Sequence, residues 1–429
     1  MWKNTYKKIL PVTFLLAGTQ PAPAADLESE LKAVDAKVIA WRRDLHQNPE
    51  LSNREFRTAK LVAEHLKALG LEVETGIAHT GVVGLLKTGK PGPTIALRAD
   101  MDALPVTERV DLPFRSVARS NYRGEDVGVM HACGHDSHTA VLMGVAEALT
   151  KAKSRLRGNV LFVFQPAEEG APPGEEGGAS VMLKEGIFTK YKPEVAFGWH
   201  AWASLNTGVI GYRSGPLLAR SQAWRAVVNG KGTHGSRPWQ GIDPIVVSAQ
   251  IVNGLQTVVS RQVDITKNPA VVSVGAIKGG VRNNIIPDSV ELIGTIRTFD
   301  NAQFKQVTDS MQRMIEETAK ASGTTATFEL DPYSNPVTYN DPKLTARVLP
   351  ALQHVAGAKV QEMPLITGAE DFAYFAQTVP SFFFMVGVTP KGTDPATAPA
   401  NHSALFYIDE TAIPIATRAL TAVAVDYLK

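Results

Sequence analysis

The sequence predicts an α/β fold in which one large sheet domain is interrupted by a smaller inserted domain. Its 429 residues fit two or three domains. Short apolar segments alternate with helical segments up to about residue 216 and again after residue 330. Between them the predicted order becomes β-α-β-β-α-β, which is the ferredoxin-like split motif. We therefore expect a first sheet-domain segment at 26–216, an inserted domain at 217–330 and a second sheet-domain segment at 331–429.

The spacing of apolar residues predicts the individual elements in order. Steps of three and four predict two opening helices, the second of which ends at Gly70. The remaining elements of the first segment are strands Gly81–Leu86, Thr94–Ala99, Val160–Phe164 and Val195–Trp199, with a buried helix at Thr139–Leu149. The inserted domain reads as strand Ala223–Val228, helix Pro244–Val259, strands Val271–Ile277 and Ser289–Thr298, helix Ala302–Ala321 and strand Thr325–Leu330. The second segment has helix Leu344–Val355, strand Phe382–Val386 and helix Ile413–Leu428.

Composition excludes several classes of protein. Hydrophobic residues make up 44% and charged residues 20% of the chain, as in globular proteins. The net charge of 44 − 42 = +2 gives no electrostatic reason to expect a nucleic acid as partner. Cys133 is the only cysteine, so the chain has neither an intramolecular disulfide framework nor a cysteine-rich zinc module.

The first 25 residues have the pattern of a secretory signal peptide. Three lysines precede the apolar run Ile9–Gly18, and small residues follow at Ala22 and Ala24. A run of roughly ten apolar residues is too short to cross a bilayer, which needs about 20. We therefore expect export to the periplasm or the medium, and no contact with the membrane after cleavage.

A dense group of histidines surrounds the single cysteine. The segment Met130–His138 contains three of the ten histidines and Cys133, directly before a predicted helix. Cys133 and His135 are two residues apart, and Gly134 between them permits a sharp turn that lets both face one point. Thiolate and imidazole together suit a transition-metal ion, so the segment predicts a metal site.

Further polar residues follow the predicted strands. Glu168 and Glu169 come just after an apolar strand, where one carboxylate can bind metal while the other accepts a proton. His200 ends another strand, although a lone histidine there is more often a core residue. Asp100 comes at the end of strand Thr94–Ala99, where a structural ion pair is an equally good interpretation. The spacing around His402 carries no local signal.

Two polar loops lie within the predicted inserted domain. His234 follows a strand and is flanked by glycines, and Asn284 lies in a second loop that carries several hydrogen-bond donors. Such donors could hold a carboxylate or a carbonyl oxygen. Taken alone, each loop is more typical of an ordinary turn.

In combination, these segments resemble the M20 metallopeptidase superfamily. The similarity is strongest to its amidohydrolase branch of hippurate hydrolases, N-acyl-amino-acid amidohydrolases and auxin-conjugate hydrolases. It extends over the whole mature chain and rests on eight strings in order: ALRADMDALP, MHACGHDSHTA, FQPAEEG, GWH, THGSRP, NNIIPD, GAEDF and NHS.

The resemblance implies a site with two divalent metal ions, for which zinc, manganese, cobalt and nickel all remain open. The implied metal ligands are Cys133, His135, Glu169, His200 and His402. Glu168 would be the general base for water activated by the metals. His234 would polarise the scissile carbonyl, often from the partner subunit of a homodimer formed through the inserted domain. Asn284 would help to bind the substrate.

The chain departs from the superfamily pattern at three places. Arg98 and Asp100 stand where the wider superfamily has His-x-Asp, so one usual histidine ligand is missing and His135 compensates. Asp100 is then expected only as an orienting residue among the catalytic groups. Gly235–Ser236 replaces an alanine pair, and Ala404 replaces a proline, which concerns loop shape rather than ligands.

The expected function is hydrolysis of the amide bond of small N-acyl or N-aroyl amino acids, or of short peptides. One alternative is a metallo-carboxypeptidase or dipeptidase. Another is a periplasmic protein that binds metal or peptide without turnover, but such a protein needs no second carboxylate at Glu168 beside the ligand Glu169.

Overall fold

The computed structural model describes residues 27–355 and 357–429. The expected signal peptide, residues 1–25, lies outside the described residues. Among the helices that are described, none combines the length and the apolar character that a bilayer span requires.

The described residues form helices and strands in alternation. The helices are α1 (Glu28–Gln47), α2 (Phe56–Ala68), α3 (His135–Lys151), α4 (Gly178–Lys184), α5 (Ile187–Tyr191), α6 (Pro244–Thr257), α7 (Asn301–Ala321), α8 (Pro342–Gln353), α9 (Phe372–Thr378) and α10 (Ala412–Tyr427). The strands before residue 216 are β1 (Glu72–Ile77), β2 (Gly81–Lys87), β3 (Thr94–Asp100), β4 (Arg119–Tyr122), β5 (Glu125–Gly128), β6 (Asn159–Gln165), β7 (Val195–Asn206), β8 (Val209–Tyr212) and β9 (Gly215–Leu218). The later strands are β10 (Arg220–Asn229), β11 (Thr233–His234), β12 (Val271–Lys278), β13 (Ile285–Ile286), β14 (Ser289–Thr298), β15 (Ala326–Asn335), β16 (Thr338–Asn340), β17 (Lys359–Glu362) and β18 (Ser381–Thr389).

An eight-stranded mixed sheet forms the centre of the larger domain, in the order β1-β2-β6-β3-β7-β18-β8-β17. The four adjacent strands β6, β3, β7 and β18 are parallel to one another, so their carboxyl ends lie at the same edge. β18 and β17 come from the chain after residue 331, so the two segments build one sheet. The predicted α/β class is confirmed.

Helices cover both faces of this sheet, as parallel strands require. On one face α1, α3, α8 and α10 pack against the strands in one apolar core, and on the other face α4, α5 and α9 do so. Helix α3 lies between the sheet and α1, and its residues from His135 to Leu149 are all buried. A helix enclosed in this way carries its first turn, with its polar residues, into the interior at the sheet edge.

A second, four-stranded antiparallel sheet has the order β12-β14-β10-β15, and α6 and α7 pack on one face of it. With the chain order β10-α6-β12-β14-α7-β15, this is the predicted ferredoxin-like arrangement. The short strands β9 and β16 pair beside it, so the chain enters and leaves the inserted part at neighbouring points. The domain boundaries at 216/217 and 330/331 stay a prediction. In the structure β15 continues to Asn335.

The structure has elements that apolar spacing did not predict. β1, the hairpin β4–β5 and β17 are composed mostly of polar or exposed residues, so they lack the apolar runs that identify buried strands. Helix α3 begins at His135, four residues before the predicted start. Its first turn holds the polar residues of the candidate site instead of the apolar residues that mark the rest of the helix.

Candidate metal centre

The candidate site lies at the edge where the parallel strands end. Asp100 is the last residue of β3, and Glu168 and Glu169 follow the end of β6. His200 lies within β7, and His135 is the first residue of α3. The carboxyl edge of a parallel sheet is where α/β proteins bind ligands, so the fold itself gathers these side chains.

The structure brings together the five side chains that the resemblance implies as ligands. Cys133 Sγ lies 3.3 Å from Nε2 of His200 and 3.3 Å from Nε2 of His402. His402 Nε2 lies 3.0 Å from Glu169 Oε1, which is 4.0 Å from His135 Nε2. Five groups of candidate ligands lie within the described residues, and two of them contain Cys133: one has Cys133, His135 and His200, and the other has Cys133, Glu169 and His402. These two groups share the sulfur and together contain all five residues.

Glycine at position 134 allows Cys133 and His135 to face the same point. Gly134 has a φ of +104° and caps the amino end of α3, and a Cβ there would lie 3.0 Å from the Cβ of Ala201. Both the left-handed backbone and the lack of space require glycine. The residues before and after it therefore project into the site from a sharp turn.

Hydrogen bonds at the far ring nitrogens prepare two imidazoles for metal binding. His200 Nδ1 lies 2.7 Å from the carbonyl oxygen of Ala201 and donates to it, which leaves Nε2 without a proton. His135 Nδ1 lies 3.2 Å from Asp102 Oδ1, and its Nε2 is buried without a hydrogen-bond partner among the described residues. Partners of this kind fix the orientation of metal-binding histidines.

The donor atoms fit a transition-metal ion. Bonds of about 2.3 Å to sulfur and about 2.0 Å to nitrogen in a tetrahedral site place these atoms roughly 3.5 Å apart. The observed sulfur–nitrogen distances are 3.3 Å. Burial, followed by the charge of Glu169, raises the pKa of the Cys133 thiol well above its ordinary value. A cation would reverse this shift, because it binds the thiolate.

The carboxylates around His135 make the site strongly attractive to cations. Burial alone would lower the pKa of this imidazole, but the charges of Asp100, Asp102 and Glu169 outweigh it and raise the pKa to about 10. A proton held so tightly indicates a negative potential at Nε2. The same potential favours a divalent ion in place of the proton.

Glu168 faces the cluster from the side. Its Oε2 lies 3.8 Å from His135 Nε2, and its Oε1 lies 3.4 Å from the amide nitrogen of Asp371. Burial first, and then the charges of Glu370 and Glu169, raise its pKa well above the ordinary value. The Glu168 carboxylate therefore borders the cluster without a short hydrogen bond to any of the five implied ligands among the described residues.

A buried ion network lies beneath Glu168. Arg98 is fully buried and donates to Asp100 (2.7 Å), Glu370 (2.8 Å), Asp371 (2.9 Å) and Gln165 (2.8 Å). Its guanidinium therefore neutralises part of the carboxylate charge packed there.

Asp100 contacts the cluster only indirectly. Its Oδ1 accepts a hydrogen bond of 2.6 Å from Nδ1 of His138, whose Nε2 accepts from the amide of Ala201. Its Oδ2 is 3.7 Å from His135 Nε2. These contacts suit an orienting residue, which is the role that the resemblance leaves for Asp100.

Asp102 was not assigned a site role from the sequence, although it holds several site residues. Its carboxylate accepts from the amide nitrogens of Glu168 (3.1 Å) and Glu169 (3.0 Å), from Ser52 Oγ (2.7 Å) and from His135 Nδ1 (3.2 Å). Its place two residues beyond Asp100, at the same sheet edge, was the only available signal. Glu370 and Asp371 of the GAEDF string were missed likewise, since their contacts cross more than 200 residues.

The structure does not place His234 and Asn284 with the cluster. They lie in the β11–β13 region of the inserted domain, where His234 is exposed. Among the described residues, the imidazole of His234 has hydrogen bonds only to Ser236, whose amide nitrogen donates to Nδ1. They line a cavity of about 520 Å³, and none of the lining residues belongs to the metal-ligand groups. A role at the cluster would require either a second subunit or a movement of the inserted domain.

Comparison with known proteins agrees with this site. Residues 96–426 match the profile of peptidase family M20/M25/M40. The chain is similar to thermostable carboxypeptidase 2 of Saccharolobus solfataricus, with 39% identity over 94% of this chain and 98% of the relative. It is 37% identical to N-acetylcysteine deacetylase of Bacillus subtilis, over 93% and 98% of the two chains.

The fold matches as well. A crystal structure of the YXEP protein of Bacillus subtilis, described as a dinuclear metal-binding peptidase of family M20, superposes with a TM-score of 0.76. It shares 35% identity and covers 92% of this chain and 99% of its own. The predicted resemblance is confirmed, as is the prediction of a hydrolase of amide bonds. The chain belongs to peptidase family M20/M25/M40.

Proposed function

We propose that the protein hydrolyses the amide bond of N-acyl and N-aroyl amino acids at a centre for two divalent metal ions. The observation that carries the proposal is the pair of ligand groups that share Cys133. Two overlapping sets of sulfur, nitrogen and oxygen donors suit two neighbouring ions better than one. The N-acetylcysteine deacetylase relative, named for an N-acyl amino acid, supports this substrate class.

The proposed ligands are Cys133, His135, Glu169, His200 and His402. When bound, the two ions supply Lewis acidity toward the scissile carbonyl and lower the pKa of water. Zinc, manganese, cobalt and nickel all accept this donor set, so the identity of the native metal is left to metal analysis.

Glu168 is the proposed general base. It lies within ligand distance of His135 and Glu169 but belongs to neither of the two groups that share Cys133, which is why we assign it the proton and not a metal ion. It accepts the proton of the attacking water and delivers that proton to the nitrogen of the leaving amine. Asp102 keeps Glu168 and Glu169 in position through their amide nitrogens.

His234 and Asn284 are proposed to act from the partner subunit of a homodimer. Both are remote from the ligand groups of their own chain and lie on a surface with exposed apolar side chains, including Trp239 (77% exposed) and Val281 (94% exposed). A contact between two inserted domains would cover this surface. His234 would then stabilise the oxyanion, and Asn284 would bind the substrate.

We also propose that the protein is exported and acts in the periplasm or the medium. The proposal rests on the signal-peptide pattern of residues 1–25. Amino-terminal sequencing of the mature protein tests it: a first residue near position 25 supports export, and an intact amino terminus contradicts it.

Metal analysis combined with activity tests the proposed reaction. The purified protein is expected to contain about two metal ions per chain and to hydrolyse small N-acyl amino acids such as hippurate. Chelation should abolish hydrolysis, and added metal should restore it. Full activity after complete removal of metal would contradict the proposal.

The carboxypeptidase relative makes a peptidase the second candidate. Dipeptides should be assayed beside N-acyl amino acids under the same conditions. A kcat/KM at least about tenfold higher for dipeptides would favour the second candidate. Binding of both classes without turnover would favour a binding protein instead.

A further inference from the structure

A short hairpin lines two cavities beside the candidate metal centre. It consists of β4 and β5, four residues each, and Arg123 and Gly124 form the turn between them. Arg123 has a φ of +54°, in the left-handed region that a residue with a bulky side chain rarely adopts. Both residues of a two-residue hairpin turn commonly need a positive φ, so the turn itself holds Arg123 in this conformation.

Two cavities next to the metal centre share Arg123 as a lining residue. One has about 340 Å³ and the other about 510 Å³, and both are also lined by Glu169 and Gly170. The smaller cavity has apolar walls from Leu51, Leu104 and Pro105. A substrate held at the cluster would extend from Glu169 toward the hairpin through these spaces.

Arg123 contributes a positive charge that no carboxylate neutralises. Among the ion pairs of the described residues, none includes Arg123, and its guanidinium lies 5.3 Å from the ring of Tyr122. The other arginine at the smaller cavity, Arg54, is paired with Glu175 at 2.6 Å. In the same hairpin Arg119 is paired with Asp126 at 2.8 Å. Arg123 is thus the cation at this cavity that remains available to a ligand.

We propose that Arg123 is a specificity-determining residue that binds a second carboxylate, carried by the substrate in addition to its α-carboxylate. This inference rests on the proposed function. Arg123 is exposed at the rim while Glu169 is largely covered, so Arg123 contacts the outer part of a substrate. The apolar walls fit the methylene groups that separate the two carboxylates. The favoured substrates are therefore N-acyl amino acids with an anionic side chain or a dicarboxylic acyl group.

Matched substrate pairs test the proposal. N-acetylglutamate and N-acetylglutamine have nearly the same size but differ in the charge of the amino-acid side chain. N-succinylalanine and its succinamide analogue have nearly the same size but differ in the charge of the acyl group. The wild type should prefer the charged member of one pair. The variant Arg123→Asn, which suits a left-handed turn, should raise KM for that member roughly tenfold and leave kcat near normal. Arg123→Lys should recover part of the preference.

Arg119→Ala serves as the matched control, because it removes one positive charge from the same hairpin. It should leave the preference intact. Equal effects of Arg119→Ala and Arg123→Asn, or an equal rise in KM for charged and neutral substrates, would overturn the inference. So would a wild type that hydrolyses both members of each pair equally well, in which case the proposed function stands. A wild type that hydrolyses hippurate but none of the four overturns the inference alone, whereas one that hydrolyses neither hippurate nor any of the four refutes the proposed function as well.

Discussion

At the scale of single residues, Gly134 is the position on which the shape of the centre depends most. Alanine there would adopt an unfavourable left-handed backbone and place its Cβ 3.0 Å from the Cβ of Ala201. We expect Gly134→Ala to reduce bound metal and to lower the Tm by several degrees, as a cost of about 1–3 kcal/mol implies. Metal analysis and calorimetry measure both effects.

Gly186 provides a control for backbone strain alone. It also has a positive φ, +89°, and precedes a helix, but a Cβ there meets nothing within 4 Å. Gly186→Ala should lower the Tm and leave the metal content normal. Equal metal loss in both variants would show that the crowding at Gly134 does not matter to the site.

A variant of Glu168 should lose turnover but keep its metal, whereas a variant of a proposed ligand should lose both. Glu168→Ala should keep the metal content of the wild type, because the two ligand groups that share Cys133 remain complete. Hydrolysis should fall by about 10²–10⁴ in kcat, the usual contribution of a general base. Glu176→Ala, at an exposed carboxylate paired with Lys184, is the control. Near-normal turnover of Glu168→Ala would remove the assignment of the base.

Local sequence predicted some site residues and could not predict others. The Cys133–His135 segment is recognisable because several metal-binding residue types lie within a few positions. His402 has no such neighbours, and its position depends on contacts across the chain: its amide donates to Ala132, and Asn401 bonds the carbonyl of Cys133. Only the resemblance to a family identified it. Asp102 was not assigned a role although it lies in the string ALRADMDALP, because its hydrogen-bond donors, such as His135 and the amides of Glu168 and Glu169, are distant in the sequence.

At the scale of elements, a buried histidine joins the first helix to the helix that carries His135. His46 at the end of α1 bonds Asp136 of α3 at 2.8 Å and Glu108 at 3.0 Å, and Phe114 packs on its ring. Burial lowers its pKa and Arg42 opposes the charge, but the two carboxylates outweigh both, so that the pKa is raised above 6.5. The protonated imidazole therefore connects α1, α3 and the segment between them.

This connection predicts a pH-dependent stability. A histidine whose pKa is raised on folding stabilises the protein fully below its unfolded pKa of about 6.5, and this stabilisation is lost as the pH rises through the folded pKa. The difference in Tm between the wild type and His46→Gln should be largest at pH 6 and shrink toward alkaline pH. His65, whose pKa is lowered by burial, is the control of opposite sign, since its variant should gain on the wild type in acid. A difference that does not change with pH would contradict the charged state of His46.

The burial of each strand explains whether it could be predicted from the sequence. Strands β3, β6 and β18 are buried on both faces and contain continuous apolar runs, so their location follows from composition. The edge strands β1 and β17 have exposed faces, and the hairpin β4–β5 is held by local pairing of polar residues. Their formation depends on the neighbouring strand or turn, which single-sequence periodicity does not contain.

At the scale of the whole molecule, the eight-stranded sheet is built from two stretches of the chain, one before and one after the inserted domain. β18 pairs with β7, so strands from before and after the insertion lie side by side. His402 follows β18, whereas Cys133 and Glu169 precede the insertion. The order of predicted elements was sufficient to predict this interruption. The relation of two subunits, in contrast, is not encoded in periodicity, because it depends on surfaces that lie far apart in the sequence.

The proposed action of His234 on the metal centre of the partner subunit can be tested with mixed dimers. If His234 acts on the centre of the partner subunit, the variants Glu168→Ala and His234→Ala should each be inactive alone. When the two are unfolded, mixed in equal amounts and refolded together, half of the dimers contain one chain of each kind. One centre of such a dimer lacks both groups and the other has both, so about a quarter of wild-type activity should return.

The control mixture contains Glu168→Ala and a ligand variant, His200→Ala, which damage the centre of the same chain. Every centre in that mixture lacks a group, so no activity should return. Different affinity tags on the two variants, purified one after the other, must show that mixed dimers form in both experiments. Recovery in neither mixture, with mixed dimers present, would place the action of His234 within its own chain. It would then require the inserted domain to move toward the metal centre, because His234 shares no contact with the ligand groups in this structure.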